Sequence, residues 1–134
     1  MLTCTLGLTA SCVSSKVVRE WLRRVIEEDF GLSFGFAAED IILATGEAVS
    51  NSFIHGCRSL PKPIRINVTY DPDNHSITIE IADPGPGFDT SKPLRVEPYK
   101  DICCCGRFII KQCVDRVSYD RRDGWFVCRL LKIL

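Results

Sequence analysis

A glutamate and an asparagine near the middle of the chain have the types and spacing of chemically active residues. Glu47 and Asn51 are four residues apart, so a helix would place them one turn apart on the same face. The sequence around them is apolar or small nearly all round, which is typical of a mostly buried helix. A buried carboxylate is costly unless it is paired or bound to something. The two residues therefore form a local hydrogen-bonded pair, an exposed strip, or one wall of a site.

A second cluster follows the end of a predicted strand. Residues 83–88 read DPGPGF and contain Asp83, Gly85 and Gly87. Taken alone, this segment is more typical of a plain turn. In a site, the aspartate could accept a hydrogen bond from an exocyclic amine. The glycines would let a base or ribose approach the backbone.

Together with Gly106, at which the last predicted helix begins, these residues could form an adenine nucleotide site. The amide oxygen of Asn51 is a hard ligand suited to Mg²⁺, which takes substrate phosphates as further ligands. The start of the last helix would offer free N–H groups to those phosphates. Glu47 could accept a proton from an attacking hydroxyl or water.

The hydrophobic pattern predicts the elements that must position these residues. The predicted strands cover residues 2–8, 64–70, 77–81, 117–120 and 125–131, and the predicted helices cover residues 14–31, 36–54 and 106–115. A loop is predicted over residues 89–101. Along the chain the order is a strand, two helices, two strands, the loop, a helix and two strands. The first helix begins at a capping Ser14 or Ser15, and its apolar stripe is formed by Val17, Val18, Trp21, Leu22, Val25 and Ile26. The order implies an α+β two-layer sandwich, in which about three helices cover one face of a mostly antiparallel mixed sheet.

Length and charge limit the function classes. The 134 residues fit a single domain over 1–134. Seventeen basic residues balance seventeen acidic ones, so no net field draws nucleic acid or an anionic membrane. The N-terminal residues lack the features of a signal peptide, and no stretch approaches the ~20 apolar residues that span a bilayer. We therefore expect a cytoplasmic protein that contacts neither membrane nor, directly, nucleic acid.

The eight cysteines show no regular disulfide framework, since Cys103, Cys104 and Cys105 are consecutive. We expect free thiols and small core residues. A zinc site that uses His55, Cys57 and the triplet is the sharper alternative, but no C-x-x-C pair supports it.

Three segments resemble the motifs of the GHKL ATPase superfamily, in the form typical of anti-sigma-factor serine kinases. Residues 47–56 (EAVSNSFIHG) resemble the N box, residues 83–88 the G1 box, and residues 104–117 the G2 segment with its helix. The resemblance covers nearly the whole chain. It implies the GHKL, or Bergerat, ATP-binding fold with ATP and Mg²⁺ as cofactors.

The resemblance also implies roles. Glu47 would be the general base, Asn51 the Mg²⁺ ligand, and Asp83 the carboxylate that recognises adenine. The nucleotide pocket would be completed by Gly85, Gly87, a lid over residues 89–105, and the phosphate-binding Gly106. Such kinases bind a sigma factor, phosphorylate a serine on a STAS-fold anti-anti-sigma protein, and commonly act as homodimers.

Three positions depart from the family pattern, and all three affect nucleotide handling. Cys104 replaces the first glycine of G-x-G, Ile102 stands where an arginine often reaches the terminal phosphate, and Trp125 stands where a threonine follows the hairpin glycine. Lys100 or Arg107 could substitute for the arginine, although neither has its offset. Losing such a contact can cost ~10³-fold or more in phosphoryl transfer.

Three functions remain compatible with the sequence. The first is an active ATP-dependent serine kinase and anti-sigma factor, which the base Glu47 favours. The second is a binding module that captures a sigma factor or STAS partner with little catalysis, which the three departures favour. The third, a domain that acts with a histidine phosphotransfer partner, is disfavoured because neither His55 nor His75 resembles a helical phosphoacceptor.

Overall fold

The computed structural model describes residues 1–33, 35–88 and 102–134, of which residues 102–105 are described as backbone only. The strands are β1 (Leu2–Thr9), β2 (Pro63–Asp71), β3 (Ser76–Asp83), β4 (Arg116–Arg122) and β5 (Trp125–Ile133). The helices are α1 (Ser14–Arg24), α2 (Phe36–Asn51) and α3 (Ile102–Cys113). A π-helical turn extends each of the first two helices, Val25–Asp29 after α1 and Ser52–Gly56 after α2.

The five strands form one sheet in the order β1-β2-β3-β5-β4, and each of these neighbouring pairs is antiparallel. The two-residue turn at Asp123 and Gly124 joins β4 to β5 as the sequence predicts, with both residues at positive φ. The predicted α+β sandwich is confirmed, and its sheet is antiparallel throughout the described pairs.

The core lies between the sheet and the helix layer. Alternate residues of the central strands are fully buried on the helix side: Ile64, Ile66, Val68, Ile77, Ile79, Ile81 and Leu130. They pack against a matching apolar set from the helices: Val18, Leu22, Ile26, Ile41, Val49 and Ile110. α2 contacts α1, α3 and the strands β3 and β5, so it lies at the centre of the helix layer. The residues on α2 are therefore well placed to form a fixed wall.

The first helix differs from its prediction in two details. Its stripe is narrower, since Val17 is 45% exposed while Val18 is fully buried. Adjacent residues on a helix point about 100° apart, so Val17 falls outside the buried face. The expected serine cap is wrong, because the cap position is Val13 and no side chain caps it. Ser15 instead donates a hydrogen bond to the carbonyl of Gly46 at 2.9 Å, which ties α1 to α2.

The two edges of the sheet differ in charge. The edge strand β1 contains neither a charged residue nor proline, whereas β4 carries Arg116, Asp120, Arg121 and Arg122. Proteins commonly protect exposed edges with such charges. Within the described ranges, none of the helices has the length and apolar character that crossing a bilayer requires.

Candidate functional site

The end of α2 and the end of β3 touch because glycines remove the side chains between them. A Cβ added at Gly56 would overlap the carboxylate of Asp83, and one added at Gly85 would overlap the backbone of Gly56. Close backbone approach of this kind is a use to which only glycine is suited. The contact joins the two clusters that the sequence analysis singled out.

Asp83 is the buried acid of this junction, with 3% of its surface exposed. Its Oδ1 accepts the N–H of Gly85 at 2.8 Å, and the hydroxyl of Ser52 donates to the same carboxyl group. Burial raises the pKa of Asp83, and these two hydrogen bonds and the charge of Arg121 partly oppose the rise. Arg121 also donates to the carbonyl oxygen of Gly85 at 3.0 Å, which holds the loop after β3 in place.

A cavity of about 210 Å³ opens beside Asp83. It is lined by α2 and its π-helical turn, by the segment after β3, by α3, and by β4 and β5: Ala48, Asn51, Ser52, His55, Gly56, Asp83, Gly87, Phe88, Arg107, Ile110, Tyr119, Phe126 and Cys128. Three of the predicted site residues, Asn51, Asp83 and Gly87, therefore share one cavity although they are far apart in sequence.

One wall of the cavity is aromatic. The rings of Tyr119 and Phe126 stack with centroids 5.9 Å apart, and Phe88 meets both of them edge-on, at 4.7 and 5.3 Å. Gly87 has a φ of +74°, and a Cβ there would come within 2.5 Å of the Phe126 ring. Burial raises the pKa of Tyr119 to about 12, so its hydroxyl stays protonated at neutral pH. The wall is aromatic and carries no charge.

Arg107 supplies a positive charge next to this wall. Its guanidinium carbon lies 4.2 Å from the centroid of the Phe88 ring, and its side chain is hydrogen-bonded to Tyr119. Its Nε atom is buried without a hydrogen-bond partner, the one such side-chain nitrogen or oxygen found in the described part of the chain. A buried N–H without an acceptor costs free energy that a bound acceptor would recover.

Glu47 and Asn51 lie against α3. A Cβ added at Gly106 would be 3.1 Å from Glu47 Oε2 and 3.5 Å from Asn51 Oδ1. The structure thus places three predicted site residues together, although Glu47 is not among those that line the cavity. The prediction that Gly106 stands at the start of the helix is wrong. α3 begins at Ile102, so Gly106 lies in its second turn, where helical N–H groups bond to the preceding turn.

Trp125 lies on the face of the sheet opposite Asp83. The guanidinium of Arg65 stacks on its ring at 4.1 Å, and Trp125 does not line the cavity. In the strand register Asp83 is paired with Phe126 instead. Successive side chains point to opposite faces of a strand, so Phe126 is the residue of β5 that stands beside the acid. Position 126, and not position 125, is therefore the one that faces the cavity.

The sequence motifs do not indicate five of the residues that line the cavity: Ser52, Arg107, Tyr119, Phe126 and Cys128. Tyr119, Phe126 and Cys128 carried a readable signal, because they alternate along β4 and β5 on the side that faces the helices. The predicted loop and most of the predicted lid, residues 89–101, lie outside the described residues. So do Lys100 and the side chains of the cysteine triplet.

The arrangement combines a buried hydrogen-bond acceptor, an aromatic wall and a cation. Such a cavity suits a planar group that carries an amine and is linked to an anion. In the described ranges no group of three or more His, Cys, Asp or Glu side chains could hold a metal ion. A cation bound here would depend on Asn51 and on oxygen atoms that its ligand brings.

A five-stranded antiparallel sheet under three helices, with a largely apolar cavity that contains a buried carboxylate between α2 and the ends of β3 and β5, is the architecture expected of a GHKL-type ATPase domain. The model of the histidine kinase-like ATPase domain family matches residues 8–132. The chain belongs to that family, as its motifs predict. No curated protein matches the sequence.

Solved structures share the fold at low sequence identity. The crystal structure of the RsbU and RsbW domains of Rv1364c from Mycobacterium tuberculosis aligns with a TM-score of 0.71 and 18% identity. That alignment covers 100% of this chain but only 33% of the other, so this chain spans a third of its length. A chain of the SiaB–SiaC complex from Pseudomonas aeruginosa aligns with a TM-score of 0.68 and 10% identity, over 96% of this chain and 88% of that one.

Proposed function

We propose that the chain is a cytoplasmic, ATP-dependent serine protein kinase and anti-sigma factor, which phosphorylates a STAS-type anti-anti-sigma partner and sequesters a sigma factor. One observation carries the proposal: predicted site residues from α2, β3 and the segment after β3 converge on one cavity, beside a glycine of α3. The likeness in fold to a protein with an RsbW domain and to a chain of the SiaB–SiaC complex supports it.

The base end of the site fits an adenine nucleotide. Asp83 offers a buried acceptor to an exocyclic amine, and Tyr119 and Phe126 offer a flat surface for stacking. The cavity of about 210 Å³ is smaller than the ~300–1,000 Å³ of pockets that enclose a whole ligand. It would therefore hold the base and leave the phosphates towards Asn51 and Gly106.

The other residues would then divide the remaining work. Asn51 would hold Mg²⁺ through its amide oxygen, and Glu47 Oε2 would accept the proton of the partner's serine hydroxyl. Gly85 would fix the carboxylate of Asp83 through its N–H, at the observed 2.8 Å. When bound, ATP would supply the phosphoryl group, and its Mg²⁺ would offset the negative charge of the phosphates.

A second function, a binding module with little or no catalysis, is favoured by the position of α3. Because the helix begins at Ile102, Gly106 does not offer a free N–H to a phosphate and instead lies against Glu47 and Asn51. Cys104 in place of a glycine adds to this argument, since a side chain there restricts the backbone. Such a module would keep its partner surfaces and lose phosphoryl transfer.

A transfer assay with matched variants distinguishes the two functions. The wild type is incubated with radiolabelled Mg·ATP and, one at a time, with each STAS-domain protein of the source genome, and phosphoserine is measured. For a kinase, Glu47→Gln should lower the rate ~10²–10⁴-fold and leave ATP affinity unchanged, because the amide cannot take up the proton. Asn51→Ala should weaken Mg·ATP binding and transfer together.

The control is Glu20→Gln, an equivalent change on α1 outside the lining of the cavity, which should leave the rate unchanged. An unchanged rate for Glu47→Gln would show that the base assignment is wrong. If the wild type binds a STAS protein or a sigma factor but never produces phosphoserine, the binding module is the correct function.

We further propose a homodimer that forms through β1. This edge carries no charge or proline over its eight residues, and its half-buried Cys4, Leu6 and Leu8 leave apolar surface uncovered. Thr5→Lys should make the protein monomeric in sedimentation experiments, whereas Ser118→Lys on the charged edge strand β4 should not. A wild type that sediments as a monomer at high concentration would refute the homodimer.

A further inference from the structure

Arg121 lies on the edge strand β4, on the same face as the cavity. In the strand register Arg121 is paired with Phe126, and Phe126 is paired with Asp83, so the three residues form one row across β4, β5 and β3. Residues directly opposite each other on neighbouring strands point to the same face of the sheet. The guanidinium carbon of Arg121 lies 5.9 Å from the centroid of the Phe126 ring, and the side chain reaches past this ring to the segment after β3. The arginine therefore extends from the edge of the sheet towards the buried acid.

The main chain of Gly85 links Arg121 to Asp83. Arg121 Nη2 donates to the carbonyl oxygen of Gly85 at 3.0 Å, and the N–H of the same glycine donates to Asp83 Oδ1 at 2.8 Å. Gly85 is buried, and a buried carbonyl that loses its donor costs free energy. Because both main-chain groups belong to one residue, a shift of the carbonyl also moves the N–H that the acid accepts.

The neighbouring Arg122 has a different role on the same strand. It points to the opposite face of the sheet, where it pairs with Glu80 at 2.9 Å and with Asp120 at 3.4 Å. Arg121 instead donates to the loop that carries the site. Its positive charge also opposes the rise in the pKa of Asp83 that burial causes, which favours the ionised, hydrogen-bond-accepting form. The hydrogen bond and the charge of Arg121 therefore both act on Asp83.

We propose that Arg121 is a positioning residue for adenine recognition: it holds Gly85, and through Gly85 the carboxylate of Asp83, where that carboxylate accepts the exocyclic amine of the base. This inference rests on the proposed function, because it assumes that Asp83 recognises adenine in this cavity. Arg121 does not line the cavity, so it acts without touching the base. The segment after β3 needs such a tie because glycine leaves its backbone free to adopt several conformations.

The test compares ATP with purine riboside triphosphate, which lacks only the exocyclic amine, each with Mg²⁺ in titration calorimetry. The two nucleotides carry the same ribose and phosphates, so the ratio of their dissociation constants measures the contact with the amine. The wild type should prefer ATP. Arg121→Ala should weaken ATP binding about 3- to 10-fold, the range for one lost hydrogen bond, and change the binding of the analogue less than about twofold. Arg121→Lys should recover part of the ATP affinity, because an ammonium group can donate to the same carbonyl.

Arg122→Ala is the matched control, because it removes the same side chain from the adjacent position on the opposite face of β4. It should leave both affinities unchanged. Asp83→Asn provides a second background, in which adding Arg121→Ala should change the ATP affinity less than about twofold, since the arginine acts through the acid. Thermal melting establishes that each variant is folded. Arg121→Gln, whose side chain is shorter and uncharged, replaces Arg121→Ala if the alanine variant fails to fold.

The failures are distinguishable. If Arg121→Ala weakens ATP and the analogue equally, Arg121 supports the pocket as a whole and its positioning role is overturned, while the proposed function stands. The role is also overturned if neither affinity changes, or if the wild type binds the two nucleotides equally. If the wild type binds neither nucleotide, the nucleotide site itself is wrong and the inference falls with it.

Discussion

Replacing Gly85 with alanine tests the junction that brings the two halves of the site together. In the folded protein a Cβ at this position would be 2.5 Å from the Cα of Gly56 and 2.7 Å from its carbonyl carbon. These are backbone atoms, so no change of side-chain rotamer can relieve the overlap. The end of β3 must therefore move away from the end of α2.

The expected cost lies at the upper end of the range for overpacking. Added methyl groups in close-packed sites cost about 1–3 kcal/mol of stability, and occasionally more. Because the backbone itself must move here, we expect Gly85→Ala to lower the free energy of unfolding by about 3 kcal/mol. With a urea m-value of about 1–3 kcal/mol/M, the unfolding midpoint should fall by about 1–3 M. The affinity for ATP should fall as well, because Asp83 accepts the N–H of Gly85 and would move with it.

Gly7→Ala is the matched control in urea unfolding. Gly7 lies in β1 with no atom within 4 Å of an added Cβ and without a positive φ. Alanine there reduces the freedom of the unfolded chain and should stabilise the protein by about 0.4–1 kcal/mol. If Gly85→Ala unfolds at the same urea concentration as the wild type, the two backbones are not in contact and the argument for a joined site fails.

Three further changes have expected outcomes. Burial raises the pKa of Asp83 above 3.8, so the protonated carboxyl contributes its full stability below that pH, and this contribution is lost as the pH rises through the raised pKa. The melting temperature of Asp83→Asn should therefore rise relative to that of the wild type as the pH increases through this range. A difference in melting temperature that stays constant with pH would contradict this. Ser59→Gly should stabilise the protein by about 1 kcal/mol in urea unfolding, because Ser59 has a φ of 57° and only glycine adopts such a backbone without strain; no gain would contradict it. Phe126→Ala should weaken ATP and adenosine binding equally, by about 1–3 kcal/mol in calorimetry, since it removes a stacking surface and no charge; an effect on ATP alone would contradict it.

The fold could be predicted because its signals are local. Alternating isoleucines define β2 and β3, and the apolar all-round sequence of α2 identifies the helix that the core surrounds. The convergence of Asn51 with Asp83 followed from recognising two motifs together. Neither motif alone indicates that Gly56 and Gly85 are in contact, because that depends on how a helix end meets a strand end.

The misplaced details have specific physical reasons. The sequence predicts that the last helix begins at Gly106, whereas α3 begins at Ile102 and its glycine lets the helix approach Glu47. Trp125 was assigned to the site by its offset from Gly124, whereas the strand register gives that place to Phe126. Arg107 was set aside because of its offset, and only the tertiary contact with Phe88 shows where its guanidinium lies.

If Gly106 contacts the phosphates as proposed, its position inside α3 makes the nucleotide affinity depend on how many molecules have an opened helix start. The N–H of Gly106 lies in the second turn of α3, so it becomes available to a phosphate only in the fraction of molecules in which the start of the helix has opened. The apparent Kd is the intrinsic Kd divided by this fraction, so an opening cost of about 1.4 kcal/mol weakens binding about tenfold. Glycine lowers the stability of a helix interior by about 1 kcal/mol relative to alanine. By weakening the helix to which it belongs, Gly106 would raise the fraction of molecules that are competent to bind.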